Sequence, residues 1–193
     1  MAASSAAFNI EVITYDILNS FSQACTTFVG QNFGAGQIKR CRRTLALCLA
    51  EGSVALAAAI TLILSFGRPL LALFNNDPAA IEIGLIRLMT VMLSHSFSLL
   101  YEVMAGYLRG FGISLMPALL TMLGVCGVRI GWIMWVFPQS RTFQTIMTAY
   151  PVSLSATALM LFIALICYRP GWRKKDASPV GRSATPQGAD AAG

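Results

Sequence analysis

Four of the eight acidic residues interrupt long apolar runs: Glu11, Asp16, Glu51 and Glu102. A carboxylate near the centre of a membrane-spanning helix costs about 2.5 kcal/mol or more. A chain that keeps one there needs a partner for it or a task. The task open to such a group is to take up and release a proton or a cation. Glu102 and Asp16 are the candidates for it. At 100° per residue Glu102 shares a helix face with His95, Ser98, Gly106 and Arg109. Asp16 lies with Asn9, Ser20, Gln23 and Thr27 within about 40° of one direction, and Asn19 adds to the polarity of that helix. In lipid a polar stripe of this kind faces other helices or a wet cavity. Glu102, Asp16, His95, Ser98, Asn19 and Gln23 are therefore the candidate ion-coupling and pathway residues. His95 either tunes Glu102 or is a hydrogen-bonded packing residue.

The isolated cation Arg129 is expected to serve structure. Asp16 and Arg129 each lie about eight residues from the same end of their helices, roughly 12 Å deep, and are expected to form a buried ion pair. Glu11 points away from the Asp16 stripe and is expected to reach headgroups. Glu51 is expected to pair with a loop arginine.

Other chemistries find little support. Cys25, Cys41, Cys48, Cys126 and Cys167 are scattered, with no CxxC and no histidine at ligand spacing. They suit packing better than zinc or redox work, and no metal or organic cofactor is expected. GQNFGAG, residues 30–36, lacks the GK[ST] ending of a phosphate loop and no strand precedes it. The net charge of +6 is clustered between apolar runs, which argues against a nucleic-acid partner.

The elements that position these residues are helices in a bilayer. The 193 residues are 56% hydrophobic and 11% charged, against about 25% charged in a soluble domain. The pattern predicts an all-α membrane protein with five spanning helices, near 8–29, 44–66, 83–108, 115–137 and 143–168, each long enough for a core about 30 Å thick. Asp77 and Pro78 should be N-cap and first residue of the third helix. GVRIG, Gly127–Gly131, reads as a close-packing element around Arg129. Trp132 and Trp135 lead to an aromatic belt. Residues 170–193, rich in Ser, Pro, Ala and Gly, should be a disordered tail.

Ten lysines and arginines (39, 40, 42, 43, 109, 169, 173, 174, 175 and 182) fall in the first loop, the third turn and the tail, against Arg68 and Arg141 on the other side. This asymmetry predicts that those loops and the C-terminus are cytoplasmic. The N-terminus then lies outside without a signal peptide, so a preceding helix is expected.

Several motifs, in order, resemble one family. TTFVGQNFGAGQIKRCRR, residues 26–43, is similar to the loop after the second helix of a repeat in the multidrug and toxic compound extrusion (MATE) transporters. MAGYLRGFGISLMP, residues 104–117, resembles that family's GxLRGxGxxxxP turn. RIGWIMWVFP and TAYPVS resemble the ends of its last two helices. The motif turns are carried by Gly30, Gln31, Asn32, Gly34, Gly36, Arg109 and Gly110. The resemblance covers residues 6–169 and implies helices eight to twelve of a twelve-helix transporter, with the N-terminal half as the partner absent from this sequence. It implies a plasma (inner) membrane secondary transporter exporting small organic, including cationic, substrates in antiport with Na+ or H+. A non-transporting membrane assembly subunit is the alternative. A membrane enzyme would need clustered His, Asp or Cys at a surface, and the only histidine is mid-helix.

Overall fold

The computed structural model describes residues 2–72, 77–139 and 143–168, with the side chains of 2–7, 80, 143–144 and 168 left aside. The expected tail, 170–193, lies outside the described residues. Six α-helices and one short π-helical segment make up the fold, with no strand among the described residues.

Helix α1, Ala2–Gly34, extends past Val29 through Gly30, Gln31, Asn32 and Gly34. The expected seven-residue turn is therefore mostly helix. Only the end of the motif turns: Gly36 has φ 75°, Gly36 N–H donates to the Phe33 carbonyl at 2.9 Å and Gln37 N–H to the Asn32 carbonyl at 2.8 Å. This is a Schellman stop, which needs one left-handed residue and tolerates the earlier glycines inside the helix. The same device ends α3, Pro78–Gly110. Arg109 and Gly110 are its last helical residues, and Gly112 at φ 81° makes the turn. Ile113 N–H donates to the Leu108 carbonyl at 3.1 Å. At the other end of α3, Asp77 accepts from Ala79 N–H at 3.1 Å and Pro78 opens the helix, as the sequence predicts.

Between these two lies α2, Ile38–Ala72. The chain continues as α4, Leu115–Met122, a π segment, Leu123–Gly127, α5, Val128–Trp135, and α6, Phe143–Tyr168. Helix α6 runs through Pro151 without interruption.

Among the described residues four stretches are long and apolar enough to cross a membrane: Ile38–Ala72, Ile81–Gly110, Leu115–Trp135 and Thr145–Cys167. The expected fifth, α1, has the length at 33 residues, but its polar side chains keep it below that apolarity. Its place depends on α3 instead. Glu11, Ser22 and Thr26 of α1 meet Arg87, Glu102 and Gly106 of α3. The sequence offset stays near constant, so the two helices run parallel. Helix α6 runs antiparallel to the α4–α5 span, since Trp132 Nε1 donates to the Thr145 carbonyl at 2.8 Å while Gly124 abuts Thr157.

The centre of the bundle is α3. Half of its apolar window is buried, against 17% for α2 and 6% for α4–α5. One core cluster joins Leu18, Cys25 and Val29 to Cys41, Cys48, Leu99 and Val103. Another packs Met104 and Leu108 on Leu154 and Leu161 of α6. Large apolar side chains on the remaining faces, such as Val54, Leu62, Leu119 and Phe162, are exposed, as lipid contact requires.

Close approach between α1 and α3 depends on two glycines. A Cβ at Gly106 would collide with the Ser22 carbonyl oxygen, and one at Gly110 would lie 2.6 Å from Val29 Cβ. At the expected close-packing element, a Cβ on Gly127 or on Gly131 would meet nothing within 4 Å. The tight glycine of that span is Gly124, against Thr157. The small-residue spacing was legible, but the face turned towards α6 is the one that the π segment re-aims.

Candidate functional site

Two cavities flank the α1–α3 seam. One, of about 370 Å³, lies nearer the Asp77 end of the bundle, with Glu11, Tyr15, His95, Tyr101, Arg129 and Tyr150 in its wall. The other, of about 520 Å³, lies nearer the Gly36 end, with Glu102, Ala105, Arg109, Pro117 and Thr121 in its wall. Tyr15 and Glu102 separate them.

Glu102 is 7% exposed. Tyr15 Oη donates to its Oε1 at 2.7 Å, and Arg109 Nη2 stands 3.7 Å from its Oε2. Arg109 is held by Ser22, whose Oγ accepts from Arg109 Nη2 at 2.7 Å and donates to the Glu102 carbonyl at 2.6 Å. Thr26 Oγ1 reaches the Gly106 carbonyl at 3.0 Å. These hydroxyls can make such bonds because Gly106 and Gly110 let the two backbones close. One carboxylate oxygen thus faces a donor on the wall of the first cavity, and the other faces a cation lining the second.

Closer to the Asp77 end, Glu11 is bound by Arg87 through two hydrogen bonds, Nε to Oε1 at 2.9 Å and Nη2 to Oε2 at 3.1 Å. Both side chains are largely buried, at 9% and 14% exposure. A bidentate fork of this kind is the strong form of the ion pair. Glu11 therefore does not reach for headgroups. It is buried in the bundle because Arg87 of α3 lies at its own level.

The expected Asp16–Arg129 pair is absent. Asp16 is exposed on α1. Arg129 donates from Nε to Ser153 Oγ at 3.1 Å, and its guanidinium carbon lies 4.4 Å from the Tyr150 ring centroid. Equal depth is not proximity: α5 packs on α6, while Asp16 faces away from the bundle. Gln23 is exposed on the same side and Asn19 is half-buried. Helix α1 thus divides its polar residues, with the Asp16 stripe directed outward and Glu11, Ser22 and Thr26 directed at α3. Glu51 is likewise exposed, and no ion pair to it occurs among the described residues.

His95 and Ser98 line the first cavity, with Ser98 2% and His95 7% exposed. Neither ring nitrogen of His95 makes a hydrogen bond of good geometry among the described residues, although the Glu11 backbone lies beside the ring. His95 and Glu102 share a face of α3, but the structure places them on different cavities.

A profile of the MatE family matches residues 1–135. The chain belongs to the MatE family. It is 23% identical over 167 residues to a probable multidrug resistance protein NorM of Chromobacterium violaceum, covering 83% of this chain and 36% of that protein. A NorM of Aromatoleum aromaticum is 29% identical over 155 residues, with 78% and 33% covered. One from Neisseria meningitidis is 24% identical over 172 residues, with 88% and 37% covered. The chain spans about a third of the length of these curated relatives. The family is the one that the motif turns indicate, and the protein is a multi-pass membrane protein.

Within this MatE chain, Tyr15, Ser22, Thr26 and Arg87 belong to the site and were not singled out by sequence reasoning. A signal existed for Arg87: a second charge in an apolar helix calls for a partner of opposite sign, and Glu11 was available. Tyr15 and Ser22 carried none, since an isolated tyrosine or serine in a helix is ordinary. Arg129 keeps a structural contact, to Tyr150 and Ser153, with a different partner from the one expected.

Proposed function

We propose that this chain forms part of a plasma-membrane multidrug exporter and that Glu102 exchanges a proton as substrate leaves. The observation that carries the reading is the position of Glu102. Its carboxylate is buried between two cavities, bonded to Tyr15 beside one and opening on the other. The neighbours favour a proton over sodium as the coupling ion. Of the two side chains next to the carboxylate, Arg109 has no lone pair to offer and Tyr15 is turned to donate. A cation brought beside Arg109 meets a like charge at short range, in surroundings that screen it poorly.

The outward polar stripe with Asp16 and Gln23 is the surface that the N-terminal half of such a transporter covers, or that a wet pathway between the halves uses. The Gly36 end and the C-terminus face the cytoplasm, in line with the ten loop cations of the sequence. The substrates are small organic molecules.

Glu102→Gln keeps the size and the Tyr15 hydrogen bond and removes the titratable group. In everted membrane vesicles carrying the full protein, this substitution is expected to abolish drug uptake driven by a pH gradient and the proton release that accompanies it. Uptake and proton release equal to the unsubstituted protein would refute the role. Uptake that follows a sodium gradient instead would reassign the ion.

A further inference from the structure

The charges that line the cavity near the Asp77 end do not cancel. Glu11 is the only acid in its wall, and both of its carboxylate oxygens are engaged by Arg87. The second charged residue in the wall is Arg129. Its guanidinium stands over the Tyr150 ring and bonds a neutral hydroxyl, and the ion pairs among the described residues are Arg68–Glu82, Arg87–Glu11 and Arg109–Glu102. The cavity therefore carries one cation that no carboxylate of the described chain balances.

His95 adds an independent observation. It is buried at 7% exposure, it lines the same cavity, and neither ring nitrogen makes a hydrogen bond of good geometry among the described residues, although the Glu11 backbone lies beside the ring. Buried polar atoms are ordinarily satisfied, so the imidazole calls for a partner from within the cavity. A metal ion does not answer the need: no group of three or more His, Cys, Asp or Glu gathers among the described residues. Apart from Ser98, the rest of the wall is aromatic and apolar, with Tyr15, Tyr101 and Tyr150 joined by Val91, Val125 and Leu154. At about 370 Å³ the cavity is within the usual range for small organic ligands, about 300–1,000 Å³.

We infer that this cavity binds a flat aromatic carboxylate, with the ring among the tyrosines and the carboxylate held by Arg129 and a ring N–H of His95. Aromatic side chains accept a flat ring by offset stacking or edge contacts. A guanidinium holds a carboxylate through parallel hydrogen bonds. An imidazole N–H supplies a further donor. A simple organic cation would meet Arg129 as a like charge and leave the His95 N–H unmet. The π segment supports this placement, because Leu123–Gly127 carries Val125 to the cavity wall and sets the register of Arg129 behind it. The inference deepens the export reading by naming a substrate class, and it rests on that reading only for the fate of the bound molecule.

The test is equilibrium dialysis of the full protein in lipid nanodiscs with two matched probes, 2-naphthoate and 2-naphthylmethylammonium. The naphthoate is expected to bind more tightly. Arg129→Gln and His95→Phe are each expected to weaken naphthoate by about tenfold or more, the scale of a lost charge-assisted hydrogen bond, while neither weakens the ammonium probe, which Arg129→Gln frees of a like charge. Arg129→Lys keeps the charge and loses the fork, and is expected to fall between, so the prediction stands even if Arg129→Gln does not fold. Tighter binding of the ammonium probe, or naphthoate binding unchanged in His95→Phe and in both Arg129 variants, would overturn the assignment. The two readings part in vesicles. Naphthoate that binds through Arg129 but is not moved by a pH gradient leaves the site standing and removes its export. Export that depends on Glu102, with naphthoate binding indifferent to Arg129 and His95, leaves export standing and removes the site.

Discussion

Gly106→Ala is expected to destabilise the protein by about 3 kcal/mol, the upper part of the range for overpacking. One methyl group produces this effect because its neighbour is backbone. The new Cβ would collide with the Ser22 carbonyl oxygen, with Ser22 Oγ 2.8 Å away. The carbonyl is backbone, and the hydroxyl is tied to the Glu102 carbonyl and to Arg109, so α1 itself has to move. That displacement stretches the Ser22–Glu102 and Arg109–Ser22 hydrogen bonds and withdraws Tyr15 from Glu102. Under the proposed export role, drug uptake should fall along with stability. Gly127→Ala is the control. A Cβ there meets nothing within 4 Å, and alanine in a helix interior is better than glycine by about 0.5–1 kcal/mol. Its effect is expected to have the opposite sign. Thermal unfolding in detergent, followed by a thiol probe for the buried Cys25, Cys41 and Cys48, measures both. Equal melting of the two variants would show that α1 and α3 do not approach as described.

Arg87→Met is expected to cost about 3–5 kcal/mol, the range for removing one partner of a buried pair. The loss comes mainly from Glu11, which is left without its partner in a site where it is 9% exposed. Adding Glu11→Gln to Arg87→Met is therefore expected to recover most of the stability. A coupling energy of at least about 2 kcal/mol should appear in the double-mutant cycle. The pair Arg68–Glu82 is a built-in contrast. It is as short, at 2.7 Å, but its side chains are 72% and 55% exposed. Water and mobile side chains reduce such a pair to about 0–1 kcal/mol. If Asp16 and Arg129 show strong coupling in a parallel cycle and Glu11 and Arg87 show none, the arrangement of charges is wrong.

These two predictions also mark where sequence reasoning stopped. Helix locations followed from apolar length. The Asp77–Pro78 start of α3 followed from local hydrogen bonding, which involves only neighbours in the chain. The family followed from residues 26–43 and 104–117, because a Schellman stop after a long helix imposes glycine at a set place. Glu102 was identifiable as a carboxylate on a polar face with Arg109. The errors share one origin. Equal depth suggests the pair Asp16–Arg129, and glycine spacing suggests close packing at Gly127–Gly131, whereas the tight contact falls at Gly124.

Periodicity gives the direction of a side chain about the axis of its own helix. It does not say which other helix lies in that direction. The sequence by itself determined the membrane character, the all-α class, the capped start of α3 and the family, since each depends on length, composition or a few adjacent residues. Only the tertiary structure decided that Glu11 is joined to Arg87, that Asp16 faces away, that Tyr15 holds Glu102 between two cavities, and that His95 and Arg129 share one. Those outcomes depend on how closely and in what register α1 meets α3 and α5 meets α6. Steric contact at Gly106, Gly110 and Gly124 sets that distance, and such contact is a property of two helices together.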